Sequence, residues 1–220
     1  MKRILVLLGI YAVAMALLEA AVVVYMRRLY YPENPLELFP LHFLNDYDPL
    51  LELSREVATI VMILTVALLA ERRSLTRSFA AFVFVFGVWD LSYYVWLKVL
   101  IDWPQSWLEW DVLFLIPSVW LGPWICPAAI AMLLIVWGSW TLLSQRETVF
   151  STTSLTMFFA GAGLGLATFM QPAIVNGTET LSSYSPGAFW WWLFLPSYLL
   201  MAAGFALTVW PTRSQTVEHG

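Results

Sequence analysis

Apolar residues in this chain run in blocks too long for an ordinary soluble helix or strand, and short polar intervals punctuate them. The hydrocarbon core of a bilayer is about 30 Å thick, which a helix crosses with about 20 residues at about 1.5 Å each. Six blocks meet that requirement, over residues 4–26, 53–70, 79–101, 125–143, 155–175 and 189–209. The pattern predicts an all-α integral membrane protein: one polytopic domain over 1–220, with six transmembrane helices in a compact bundle. Between Asp111 and Leu143 the apolar stretch exceeds one helix, and Pro117, Pro123 and Pro127 interrupt it. Proline removes a backbone donor and clashes with the preceding turn. Residues 111–124 are therefore expected as a proline-broken interfacial or re-entrant segment before the fourth span. Residues 27–52 carry Pro32, Pro35, Pro40 and Pro49 and mix Leu36, Leu38, Phe39, Leu41, Phe43 and Leu44 with acids. They are expected to lie along the membrane surface as an external cap loop.

Composition narrows the function classes. Hydrophobic residues make up 60% of the chain and charged ones 12%, against about 25% charged in soluble domains. A soluble enzyme and a disordered tail are excluded, and a net charge of −4 offers nucleic acid no basic footprint. The partner that composition demands is the lipid bilayer. The lone Cys126 excludes an internal disulfide. Lys2-Arg3 followed by an apolar run and Ala14-Met15-Ala16 resembles a secretory signal, but the run continues well past Ala16, which suits an uncleaved anchor. Trp190-Trp191-Trp192 and Trp210 bracket the sixth span, as tryptophans at two bilayer faces would.

Orientation is read from lysine and arginine, which concentrate in cytoplasmic loops. With the N-terminus inside, Lys2, Arg3, Arg72, Arg73, Arg77, Arg146 and Arg213 are cytoplasmic, while Arg27, Arg28, Arg55 and Lys98 are external. The balance predicts cytoplasmic termini in a bacterial or archaeal plasma membrane, although Arg27-Arg28 argues the other way. The Asn176-Gly177-Thr178 sequon matters only in a secretory pathway with glycosylation.

Ionisable residues inside spans carry the chemical signal, because a charge at the bilayer centre costs several kcal/mol unless protein or water meets it. Glu19 and Asp90 lie deep in the first and third spans. Asp90, Tyr94 and Lys98 are spaced i, i+4, i+8 and share a helix face, so Tyr94 is expected to relay between its neighbours. Glu52, Arg55, Glu56 and Thr59 line one face of the second helix. The candidate substrate- or proton-binding residues are therefore Glu19, Arg55, Glu56, Asp90, Tyr94 and Lys98, with Trp89 as an aromatic wall for an organic cation. The structural alternative is a set of ion pairs fixing helix register, Asp90 with Lys98 through Tyr94 or Glu19 with Arg55. The remaining external acids read first as a solvated, negatively charged rim, with a funnel for cations as the sharper alternative.

No cofactor and no metal are expected. Only two histidines occur, so haem ligated by histidine pairs and di-iron histidine boxes are excluded. His42 beside Asp46 and Asp48 is a weak divalent-ion set. The chain lacks G-x-S-x-G, P-loop and H-E-x-x-H patterns, and Gly161-Ala162-Gly163-Leu164-Gly165 lies inside a span, where it cannot cradle phosphate.

Ala12, Ala16 and Ala20, and Gly161 with Gly165, form small-residue tracks that let helices pack closely, within the bundle or against a partner membrane subunit. Six spans with both ends inside, a long first external loop and the alanine track resemble the substrate-binding subunits of energy-coupling-factor vitamin transporters. The resemblance is one of layout and implies a docking role for the track. Three readings of function follow: binding or translocation of a cation or protonatable small solute; an intramembrane acid-base enzyme acting on a lipid or isoprenoid; or a non-catalytic subunit of a membrane complex.

Overall fold

A computed structural model describes residues 2–39, 47–72, 74–144, 148–176 and 186–209. The expectations placed on Pro40, Leu41, His42, Phe43, Leu44, Asp46, Arg73, Arg146, the sequon's Gly177 and Thr178, Trp210 and Arg213 lie outside the described residues. Six helices are long and apolar enough to cross a membrane: α1 (Lys2–Tyr30), α2 (Asp48–Ala70), α3 (Leu75–Ile101), α4 (Ile125–Leu143), α5 (Thr152–Asn176) and α6 (Trp191–Val209). The chain is thus a multi-pass membrane protein.

Local chemistry sets the helix ends. Pro49 sits in the first turn of α2, where its missing N–H has no intrahelical partner to lose. Ser74 caps α3 by accepting the Arg77 N–H at 3.2 Å. Ser151 and Ser154 cap α5 reciprocally, each hydroxyl accepting the other's backbone N–H at 3.0 and 3.1 Å. At the end of α3, Asp102 takes a left-handed conformation with φ 58°. Its turn redirects the chain so that Trp103 folds back into full burial.

The segment before α4 is where the structure departs from an all-α fold. Residues Trp110–Phe114 (β1) and Trp120–Pro123 (β2) pair as an antiparallel hairpin, with Asp111 opposite Gly122 and Val112 opposite Leu121. Pro117 lies in the connection, where no strand hydrogen bond is required, and Pro127 falls in the first turn of α4. Residues 36–39 lean on the hairpin, since Leu38 and Phe39 pack against Leu121.

α3 is the hub, packed against α1, α2 and α4, and the α5–α6 pair joins through α4 and β2. Small residues bring the helices into backbone contact. A Cβ added at Gly87 of α3 would lie 2.6 Å from the Ala131 carbonyl oxygen of α4, and one at Gly138 of α4 would lie 2.7 Å from that of Ala80 in α3. Gly161 meets the α6 backbone around Ser197 and Met201 in the same way. Ala12, Ala16 and Ala20 are fully buried within this chain, where α1 packs on α3. Both small-residue tracks are therefore occupied inside the bundle, and the alanine track is closed to the docking role its pattern implied.

At the end of the bundle where α2 runs into α3, charge is matched closely. The Arg77 guanidinium donates to Glu71 at 3.0 Å and to the Thr141 and Leu142 carbonyls at 3.3 and 2.8 Å. Those carbonyls close α4, so Arg77 satisfies acceptors that the helix end leaves open.

Because the close contacts at Gly138 involve backbone, which cannot swing aside, Gly138→Ala should destabilise the chain by about 1–3 kcal/mol. Gly163 has open space around it, so Gly163→Ala should not lower the melting temperature. Thermal unfolding of both variants in detergent checks the contrast; equal midpoints would contradict the packing described.

Candidate functional site

At the other end of the bundle the C-terminal part of α1, the start of α2, the later turns of α3 and the hairpin enclose a cavity of about 150 Å³. Helix spacing explains who faces it. Trp89, Asp90, Tyr93 and Tyr94 form one stripe of α3, Glu52, Arg55 and Glu56 one stripe of α2, and Glu19, Val23, Arg27 and Tyr30 one stripe of α1. The hairpin supplies Asp111 through Leu115 as a cover.

Arg55 joins two helices. Its guanidinium pairs with Glu19 of α1 and donates through Nε and Nη2 to Glu52 Oε2 at 3.0 and 2.9 Å. Glu19 also accepts the indole N–H of Trp89 at 3.0 Å, which turns the ring edge toward the acid and leaves the ring as cavity wall. Glu56 accepts the Leu115 backbone N–H at 2.9 Å and so ties α2 to the hairpin. A second arginine anchors the hairpin to α1. Arg27 Nη2 lies 3.3 Å from Asp111 Oδ1, with both side chains 3% exposed, and its guanidinium sits 4.0 Å from the centre of the Trp103 ring.

Asp90 differs from the other four acids. It lines the same cavity, yet it makes no hydrogen bond or ion pair with any described residue. Arg27 Nε and Nη1 and Asp111 Oδ2 are also buried without a hydrogen-bond partner.

The structure gathers Glu19, Arg55, Glu56, Trp89, Asp90 and Tyr94 around one cavity. Lys98 goes elsewhere: its ammonium lies 2.7 Å from the Asp102 carboxylate and donates to the Pro104 carbonyl at 3.0 Å, half exposed at the end of α3. The relay from Asp90 through Tyr94 to Lys98 does not form, because the left-handed turn at Asp102 offers the lysine nearer acceptors. The Glu19–Arg55 pair does form, but it leaves Asp90 unmatched.

Sequence reasoning missed Arg27, Asp111 and Tyr93 as cavity residues. Arg27 had left one trace, as a cation that argued against the orientation read from the charge balance. An arginine buried in an ion pair no longer counts as a loop charge. Comparison with protein-family models, curated proteins and solved structures found no match.

Asp111 lies outside the six helices. Burial pushes its pKa up to about 6 from 3.8, and Arg27 offsets only part of the effect. The folded chain therefore holds this proton to a higher pH than the unfolded chain does. The resulting stability is complete below about pH 4 and is lost as pH rises through about 6, by up to about 3 kcal/mol. Asp111→Asn should flatten this fall, and melting temperatures from pH 4 to 7 check it. A parent-like slope in the variant would assign the pH dependence to other groups.

Proposed function

We propose that the cavity binds a small organic cation or protonatable solute, with Asp90 as its counter-charge. The observation carrying this reading is the contrast between Asp90 and its neighbours. Arg55 matches Glu19 and Glu52, Arg27 matches Asp111, and the Leu115 N–H meets Glu56. A carboxylate in such surroundings without a partner is unfavourable by several kcal/mol, and a bound cation removes that deficit. Trp89, Tyr93 and Tyr94 supply the aromatic surface that organic cations favour. Among the described residues no three His, Cys, Asp or Glu side chains converge as metal ligands, which favours an organic cation over a metal ion.

The cavity end is taken to face outward. Arg27 and Arg55 are held in internal pairs, so among the described residues the other cations there are Arg28 and Lys98, the latter paired with Asp102, against exposed Lys2, Arg3 and Arg72 at the other end. The hairpin then lies at the outer interface and covers the entrance, and passage of the solute across the membrane is the activity such a site would serve. An intramembrane acid-base enzyme would use the same Asp90 and Tyr94, with a lipid entering from the side. The subunit reading draws on small-residue tracks that this bundle already covers.

Calorimetric titration of 3-methylbutylammonium into the full chain in nanodiscs tests the proposal. Binding should weaken about 100-fold in Asp90→Asn, as loss of a buried counter-charge implies; undiminished affinity would overturn it. Orientation has its own test, since Cys126 is fully buried and gives little background. A membrane-impermeant maleimide should label Glu33→Cys in intact cells and leave Arg72→Cys untouched; the reverse pattern would invert the topology.

A further inference from the structure

We infer that the ligand is a small zwitterion carrying both an ammonium and a carboxylate, an inference that rests on the cation-binding reading above and extends it to Arg27. The unmatched atoms belong to residues that line the cavity and are of both signs. Arg27 is 2% exposed and uses Nη2 on Asp111, while Nε and Nη1 have no partner. A guanidinium has five N–H donors and no acceptor, so the idle nitrogens ask for oxygen. Asp111 Oδ2, equally buried, makes no close hydrogen bond, the Tyr94 hydroxyl being a donor near this carboxyl, and Asp90 has no partner among the described residues. These oxygens ask for N–H.

Each buried polar atom left unmade costs about 1–3 kcal/mol, and more when charged. A simple cation would satisfy Asp90 and leave the Arg27 donors idle. A simple anion would satisfy Arg27 but enter a cavity that holds five acids and two arginines, whose net field opposes it. A ligand with both groups meets both deficits and adds no net charge. Its ammonium faces Asp90 and Asp111 Oδ2, and its carboxylate faces Arg27 Nε and Nη1. Size limits the body between them: a cavity of about 150 Å³ is that of the engineered protein cavity known to hold one benzene molecule. Trp89, Tyr93 and Val23 line it, so a short branched aliphatic or single-ring body fits and an isoprenoid chain does not. The chemical class is that of a small apolar α-amino acid.

Three probes of one carbon skeleton separate the possibilities: leucine, 3-methylbutylamine, which lacks its carboxylate, and 4-methylpentanoate, which lacks its ammonium. Titrated into the full chain in nanodiscs, leucine should bind at least about tenfold tighter than the amine, and 4-methylpentanoate weakest. Arg27→Lys keeps a charge near Trp103 but removes the guanidinium donors, and should bring the leucine-to-amine ratio toward one. If Arg27→Lys does not fold, the ratio in the parent protein decides. Amine binding as tight as leucine's or tighter would overturn the zwitterion inference and leave the cation reading standing. Preference for 4-methylpentanoate, or no binding of any of the three, would overturn both.

Discussion

Taking a carboxylate or a guanidinium out of water costs several kcal/mol, and the cost is offset only where an opposite charge and further hydrogen bonds meet it. The cavity end of this bundle confines five acids and two arginines under that constraint. Arg55 ties α2 to α1 through Glu19, and Arg27 ties α1 to the hairpin through Asp111 while resting on Trp103. Remove either arginine and a helix or the cover loses its counter-charge. With the Trp89 N–H donating to Glu19 from α3, these links tie together the elements that line the cavity.

The two ends of the molecule treat the same constraint differently. Around Arg77 each nitrogen has an acceptor, two of them helix-terminal carbonyls, and the arrangement reads as structural. Around the cavity the matching is incomplete, at Asp90, at two nitrogens of Arg27 and at one oxygen of Asp111. Reciprocal glycine contacts hold α3 and α4 at backbone distance. The unmatched groups thus line a cavity beside a helix, α3, that packs on α4 backbone to backbone.

Much of the helical outline was legible, because apolar length reports membrane crossing directly. The helices outrun the apolar windows at polar ends: α2 begins at Asp48 and α3 at Leu75, where Pro49 and the Ser74 cap support turns that hydropathy ignores. The hairpin was hidden because both strands are as apolar as a span, although Pro117-Ser118 between two short runs was a turn signal. Asp90 and Glu19 stood out because charge inside a span is rare. Lys98 was misplaced because helical periodicity says which face a side chain shares and nothing of the turn that follows. Arg27 and Asp111 are 84 residues apart, and no local pattern joins them.

The proposed function thus rests on one deficit of charge. Asp90 has an aromatic wall, a covered cavity and no partner among the described residues. Infrared difference spectroscopy of the full chain, with and without 3-methylbutylammonium, observes that carboxylate itself. The account predicts that a carboxylate band missing from Asp90→Asn shifts when the amine is added. Bands that shift identically in the parent and in Asp90→Asn would contradict it.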